Sequence, residues 1–165
     1  MKRAVLLALF ALFTILAFGQ QDKPAAYAVY EGYNYWNKQQ GDTAYVFADV
    51  AYIRDYPATS AVLVDSLCEG TMLLIQSEGY NESTIRGFSA PWHEVSYQKD
   101  GQTKKGFIWL GLLALRQQLD QQGNQFLYGL SGLKEAYADE GSQYTCVLKY
   151  LSPQHKRIAE ISFPV

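Results

Sequence analysis

The chain has 165 residues, of which 48% are hydrophobic and 15% aromatic, and its formal charge at pH 7 is −2. This length suits one ordinary domain or two very small ones. The slightly acidic balance lacks the basic surface that nucleic-acid binding requires, and it disfavours docking on anionic lipid headgroups. We therefore expect neither of these partners.

The N-terminal residues have the layout of a secretory signal peptide. Lys2 and Arg3 give a short basic start, and residues 4–18 form an uncharged apolar run of 15 residues. A membrane-spanning helix needs roughly 20 such residues. Small residues occupy the −3 and −1 positions of a cleavage site after Gly19. We expect a signal peptide over residues 1–19 and an exported mature chain, periplasmic or extracellular, with no stable membrane insertion after cleavage; an uncleaved anchor is the alternative.

An aromatic-rich segment follows over residues 20–42. Its rings are spread among polar residues at Tyr27, Tyr30, Tyr33, Tyr35 and Trp36. We expect these rings to pack on the domain that follows. An aromatic platform for a ligand is the alternative, because Tyr and Trp suit both β-surfaces and binding surfaces.

From residue 43 onward the sequence predicts short β-strands. The strand-like stretches, rich in β-branched and aromatic residues, are 43–50, 61–67, 71–75, 92–97 and 106–109. Asp100-Gly101 predicts a hairpin turn, because this pair tolerates positive φ at low cost. Residues 79–91 are polar and contain Gly and Pro, which predicts a long surface loop. Several short strands without a long amphipathic helix predict an all-β fold, as a small barrel or sandwich.

Residues 116–165 predict a small antiparallel meander of three or four strands. The turn signal at 121–124 is followed by strand patterns over 125–130, 144–151 and 157–163. The meander is too small to bury much core alone, so we expect it to pack on the barrel or on a partner. Its last strand is either sheltered or an exposed edge that invites pairing with another chain.

The order of motifs over residues 43–115 resembles the bacterial SH3-like (SH3b) domain. That family runs from an Asn-Val-Arg-Ser-x-Pro-like loop through two strands to a Trp-x-x-Val strand, an acidic-Gly hairpin and a Gly-Trp-Val strand. The matching stretches are Tyr52-Ile53-Arg54-Asp55-Tyr56-Pro57, Val62 to Leu67, Glu69-Gly70-Thr71, Trp92-His93-Glu94-Val95, Asp100-Gly101 and Gly106-Phe107-Ile108. The resemblance implies an SH3-like barrel over 43–115, followed by the meander extension over 116–165.

The resemblance also implies a peptide or peptidoglycan ligand in a groove beside the loop that begins at Tyr52. Aromatic faces bury flat ligand surface, and an arginine can pair a carboxylate in a bidentate way. The candidate ligand-binding residues are therefore Tyr52, Arg54, Tyr56 and Trp109.

Competing structural roles exist for these side chains. Arg54 is expected to brace its own loop, through Asp55 or Glu94. Trp92 and Phe107 are expected to fill the barrel core rather than to contact a ligand.

The sequence gives little support for catalysis. Cys68 lies beside an acidic residue that disfavours its thiolate, and only His93 and His155 could serve it as a base. The two cysteines and two histidines of the chain lack the short spacing of metal-binding motifs, so we expect no catalytic residue, no metal and no cofactor. Cys68 and Cys146 form either a disulfide, which an exported chain permits, or two separate thiols.

These observations predict an exported, non-catalytic binding module that recognises cell-wall (peptidoglycan) material or a peptide or protein partner. The alternative is a structural or assembly protein that docks through its aromatic N-terminal segment and its C-terminal strand. A cell-wall hydrolase is the least favoured hypothesis.

Overall fold

A computed structural model describes residues 27–134 and 143–164, and the predicted signal peptide lies outside these ranges. The described residues form β1 (Thr43–Tyr45), β2 (Val50–Arg54), β3 (Leu63–Cys68), β4 (Met72–Ile75), β5 (Tyr80–Ile85), β6 (Phe88–Lys99), β7 (Gln102–Trp109), a 3-10 turn (Leu110–Leu112), β8 (Arg116–Leu119), β9 (Gln125–Lys134), β10 (Gln143–Leu151) and β11 (Arg157–Pro164). All pairings between these strands are antiparallel. The predicted all-β fold is therefore confirmed.

The first seven strands form one sheet in the order β1-β4-β6-β7-β2-β3, with β5 paired to β6. The long hairpin of β6 and β7 turns at Asp100 and Gly101, which have φ angles of 54° and 73°. This confirms the predicted hairpin turn. Alternate side chains of the strands are buried in one core, in which Ile53, Val95 and Ile108 are fully shielded from solvent.

The predicted surface loop over residues 79–91 is wrong. These residues form β5, a turn and the start of β6, paired antiparallel. The turn residues Arg86 and Gly87 have φ angles of 53° and 82°, which suit a tight hairpin turn. The polar side chains that suggested a loop pair across the hairpin instead, with the hydroxyl oxygens of Thr84 and Ser89 2.6 Å apart.

The last four strands form the second sheet, in the order β11-β10-β9-β8, which confirms the predicted meander. Its connection between β8 and β9 contains the predicted turn, where the carboxylate of Asp120 accepts hydrogen bonds from the backbone of Gln122 and Asn124. The second sheet packs on the first one, as expected. The buried residues of this junction are Phe47, Ala114, Leu127, Val147 and Leu151.

The described part of the aromatic-rich N-terminal segment packs only in part on the first sheet. The indole of Trp36 is 1% exposed, and its Nε1–H donates a hydrogen bond of 2.8 Å to the carbonyl of Leu113. Tyr33 and Tyr35 are 83% and 54% exposed. The expected packing is therefore confirmed for Trp36 but not for these two tyrosines.

The terminal strand β11 is an exposed edge of the second sheet. All eight of its residues are exposed, including Ile161 and Phe163. The sequence left open whether this strand is sheltered or an exposed edge, and the structure shows an exposed edge. No helix in the described ranges is long and apolar enough to cross a membrane.

Candidate binding cleft between the two sheets

A cleft of about 650 Å³ lies between the first and the second sheet. Its first-sheet wall is aromatic and includes Tyr52, Phe88, Trp92 and Trp109. Its second-sheet wall is more polar and includes Val147, Lys149, Arg157, Glu160 and Ser162. A volume of several hundred Å³ with apolar walls and a few polar groups is typical of sites that hold small ligands. We call this space the inter-sheet cleft.

Three of the four candidate ligand-binding residues line the inter-sheet cleft together. Tyr52 is 49% exposed on β2, Arg54 ends the same strand, and Trp109 ends β7. Tyr56 is not among the lining residues, and its ring packs against Tyr27 at a centroid distance of 5.0 Å. The side chains brought together are therefore Tyr52, Arg54 and Trp109.

The two tryptophans of the cleft wall have their polar atoms satisfied within the protein. Trp109 is 2% exposed, and its Nε1–H lies 3.0 and 2.9 Å from the carbonyls of Ser83 and Ala90. The Nε1–H of Trp92 donates to the hydroxyl of Ser83 at 2.9 Å. The expected core role of Trp92 and Phe107 is confirmed, since they are 2% and 8% exposed. The two indoles therefore form the floor of the cleft and leave only a little apolar surface accessible to a ligand.

Arg54 braces the loop that follows β2, as expected, but through a different partner. Its Nη1–H donates to the backbone carbonyl of Ala61 at 2.5 Å, rather than to Asp55 or Glu94. Asp55 supports the same loop by accepting a hydrogen bond from the backbone N–H of Val62 at 3.0 Å. The guanidinium of Arg54 has no acidic partner in the described part of the chain. It therefore brings an uncompensated positive charge to the cleft.

A buried lysine joins the two sheets at the cleft. The Nζ of Lys149 on β10 lies 2.5 Å from Glu69, 3.2 Å from Asp49 and 2.8 Å from the carbonyl of Phe47. The side chains of Lys149 and Glu69 are only 8% and 9% exposed. The ammonium group belongs to the second sheet, and its hydrogen-bond acceptors are oxygen atoms of residues that flank strands of the first sheet.

Arg157 on β11 completes this arrangement, which we call the ion cluster. Its guanidinium contacts both carboxylate oxygens of Glu69, at 2.7 and 2.9 Å, and also bonds Asp49 and Glu160. Hydrogen bonds from Arg157 and Lys149 hold the pKa of Asp49 below its usual value. Burial alone would lower the pKa of Arg157, but its bonds to Glu69 and Asp49 outweigh this effect and raise it. These two groups of the cluster, Asp49 and Arg157, therefore stay ionised across the neutral range.

The pattern of β10 contains one sign of the ion cluster that the sequence-based predictions do not include. Lys149 alternates with Val147 and Leu151, which are both buried. A lysine in register with two core residues of one strand indicates a buried charge that requires a partner.

The cysteines and histidines are not brought together in the structure. Both thiols are free, so the candidate disulfide between Cys68 and Cys146 is not formed. Cys68 is exposed with its sulfur 3.4 Å from Thr71, and Cys146 is buried and accepts a hydrogen bond from the hydroxyl of Tyr128. Within the described ranges, no group of three or more His, Cys, Asp or Glu side chains could hold a metal ion.

Each histidine has its own surroundings. His93 is buried and donates from Nδ1 to the carbonyl of Ser77 at 3.0 Å, and burial lowers its pKa although this hydrogen bond opposes the shift. The Nε2 of His155 lies 3.5 Å from the amide nitrogen of Gln125. Neither imidazole is hydrogen-bonded to a thiol.

The fold and the cleft define an all-β protein in which two antiparallel sheets enclose a site of ligand-binding size. No protein-family model, curated protein or solved structure matches this chain.

Proposed function

We propose that the chain is an exported, non-catalytic binding module, with an SH3b-type first sheet, that recognises peptidoglycan or a peptide partner in the inter-sheet cleft. The observation that carries this proposal is the convergence of Tyr52, Arg54 and Trp109 on one cleft of about 650 Å³. Export is supported by the predicted signal peptide over residues 1–19. The SH3b assignment is supported by the order of motifs over residues 43–115.

The cleft chemistry favours a ligand that has both flat apolar surface and negative charge. The exposed ring of Tyr52 offers a face for stacking, and Arg54 offers guanidinium donors to a carboxylate. Lys149 and Arg157 also line the cleft, but acidic partners already neutralise them. Muropeptides and peptide C-termini carry carboxylates of this kind.

The test is co-sedimentation of the chain from Gln20 to Val165 with purified peptidoglycan. We expect saturable pelleting, and we expect Tyr52→Ala to weaken it about fivefold, since an aromatic contact contributes about 1 kcal/mol. Arg54→Lys keeps a donor for the carbonyl of Ala61 but loses the planar fork, so it should weaken binding while the loop stays braced.

The matched control is Tyr33→Ala. Tyr33 is 83% exposed and does not line the cleft, so its removal should leave pelleting unchanged. Equal pelleting by Tyr52→Ala and wild type would reject the cleft as the site. No pelleting above that of an unrelated protein would reject the peptidoglycan ligand.

A second candidate function is assembly through the exposed edge strand β11. Its side chains Ile158, Ile161 and Phe163 are 55%, 62% and 41% exposed. An open edge with apolar side chains is a template for pairing with another strand. Sedimentation velocity separates the two proposals, because an assembly protein that pairs through β11 would self-associate, whereas the binding module would remain monomeric.

A further inference from the structure

A small aromatic groove on the first sheet holds the side chain of Tyr27. Its walls are Tyr56, Tyr80 and Phe107, whose ring centroids lie 5.0, 5.2 and 5.2 Å from that of Tyr27. These walls come from the loop after β2, from β5 and from β7. None of the four residues lines the inter-sheet cleft. We call this space the Tyr27 groove.

Backbone hydrogen bonds hold the segment that carries Tyr27. Residues 28–30 run antiparallel to the start of β5, with the N–H of Tyr30 donating to the carbonyl of Gly79 at 2.8 Å. The N–H of Asn81 donates to the carbonyl of Ala28 at 2.9 Å. β5 pairs with one strand of the sheet, β6, so this short segment is added along its other edge. Such strand addition is a common way of binding extended peptides.

The attachment of this segment is shallow. Val29 is 49% exposed, and Ala28, Glu31 and Gly32 are exposed as well. Firm anchoring begins further along, at the buried Trp36. Two half-buried tyrosines, Tyr27 and Tyr30, and two backbone bonds give a contact of low local stability, which opens more readily than the strands of the core.

We propose that the Tyr27 groove is a peptide-binding site and that residues 27–30 are its displaceable intramolecular occupant. The partner is an extended segment of another protein that carries Tyr or Phe at the position of Tyr27. The backbone bonds to Gly79 and Asn81 are open to any extended sequence, whereas the three rings select an aromatic side chain. This site is independent of the inter-sheet cleft.

The test uses fluorescence anisotropy with a labelled peptide of sequence Ala-Ala-Tyr-Ala-Val-Tyr, which copies residues 25–30. The Tyr27→Ala variant of the whole chain from Gln20 should bind this peptide, because its own segment no longer fills the groove. The wild-type chain should bind about tenfold more weakly or less, since its own segment competes. A control peptide with Ala in place of the first Tyr should not bind.

Two outcomes would overturn the proposal. One is a folded Tyr27→Ala variant that does not bind the peptide, and the other is equal binding of the control peptide. Hydrogen exchange on the wild-type chain provides a measurement that does not depend on the variant. A displaceable segment predicts that the amide of Asn81 exchanges about tenfold faster or more than that of the buried Val95. Equal protection of the two amides would also contradict the proposal.

Discussion

Removal of the buried ammonium group of the ion cluster should destabilise the protein strongly. In Lys149→Met the aliphatic stem is largely replaced, but Glu69 and the carbonyl of Phe47 lose a donor. Breaking a buried ion pair from one side costs about 3–5 kcal/mol. Arg157 still contacts Glu69 through two oxygens, so we expect the low end of this range, a loss of about 3 kcal/mol.

The assay is urea unfolding of the chain from Gln20, followed by tryptophan fluorescence. All three tryptophans are buried in the core of the first sheet, Trp36 from the segment before β1 and the other two from β6 and β7, so their emission reports its unfolding. In a thermal scan the same loss lowers Tm by about 6–12 °C for a chain of this size. Lys105→Met is the matched control, because Lys105 is exposed and has no ion pair in the described ranges, and it should change stability by less than about 0.5 kcal/mol.

A double variant tests whether the loss arises from the pair itself. Glu69→Gln combined with Lys149→Met should cost less than the sum of the two single changes, by about 1 kcal/mol or more. A loss below about 1 kcal/mol in Lys149→Met alone would refute the reasoning, because the cluster would then behave like a solvent-screened surface pair.

Two further predictions concern the close approach of the sheets and the response to acid. Gly129→Ala should lower the free energy of unfolding by about 1–3 kcal/mol, since its Cβ would lie 2.7 Å from the buried ring of Phe47; a change below about 0.5 kcal/mol in urea unfolding would contradict this. Burial alone would raise the pKa of Asp65. Hydrogen bonds from the Lys99 ammonium, the Ser66 backbone N–H and the Tyr97 hydroxyl outweigh this effect and lower the pKa from 3.8 to about 2. The stabilisation by ionised Asp65 is therefore full above about pH 4 and is lost as the pH falls towards about 2, so Tm of the wild type should fall more steeply there than Tm of Asp65→Asn; parallel curves would reject this.

The strand positions were predictable where one face alternates with the other. The hairpin at Asp100-Gly101 and the meander followed from local turn chemistry and period-two patterns. β5 was missed because its polar side chains resemble those of a loop. Its strand character depends on pairing with β6, which the sequence of 80–85 alone does not contain.

The site was predictable in part for a related reason. The candidate residues Tyr52, Arg54 and Trp109 were chosen from one sheet, and they do line one cleft. The opposite wall comes from β10 and β11, so its contribution depends on how the two sheets pack. Tyr56 was chosen because the resemblance implies a ligand groove beside the loop of residues 52–57, but its ring packs against Tyr27 in another groove. The SH3b relationship and the nature of the ligand stay predictions.

The sequence separation within the ion cluster has a consequence for folding during synthesis. Glu69 bonds Lys149 and Arg157, which lie 80 and 88 residues further along the chain. At a ribosomal rate of about 5–20 residues per second, both partners are synthesised on the order of ten seconds after Glu69. During that interval the first sheet carries unpaired acidic groups and an uncovered Phe47. This face of the first sheet is therefore completed only after β10 and β11 have been added to the chain.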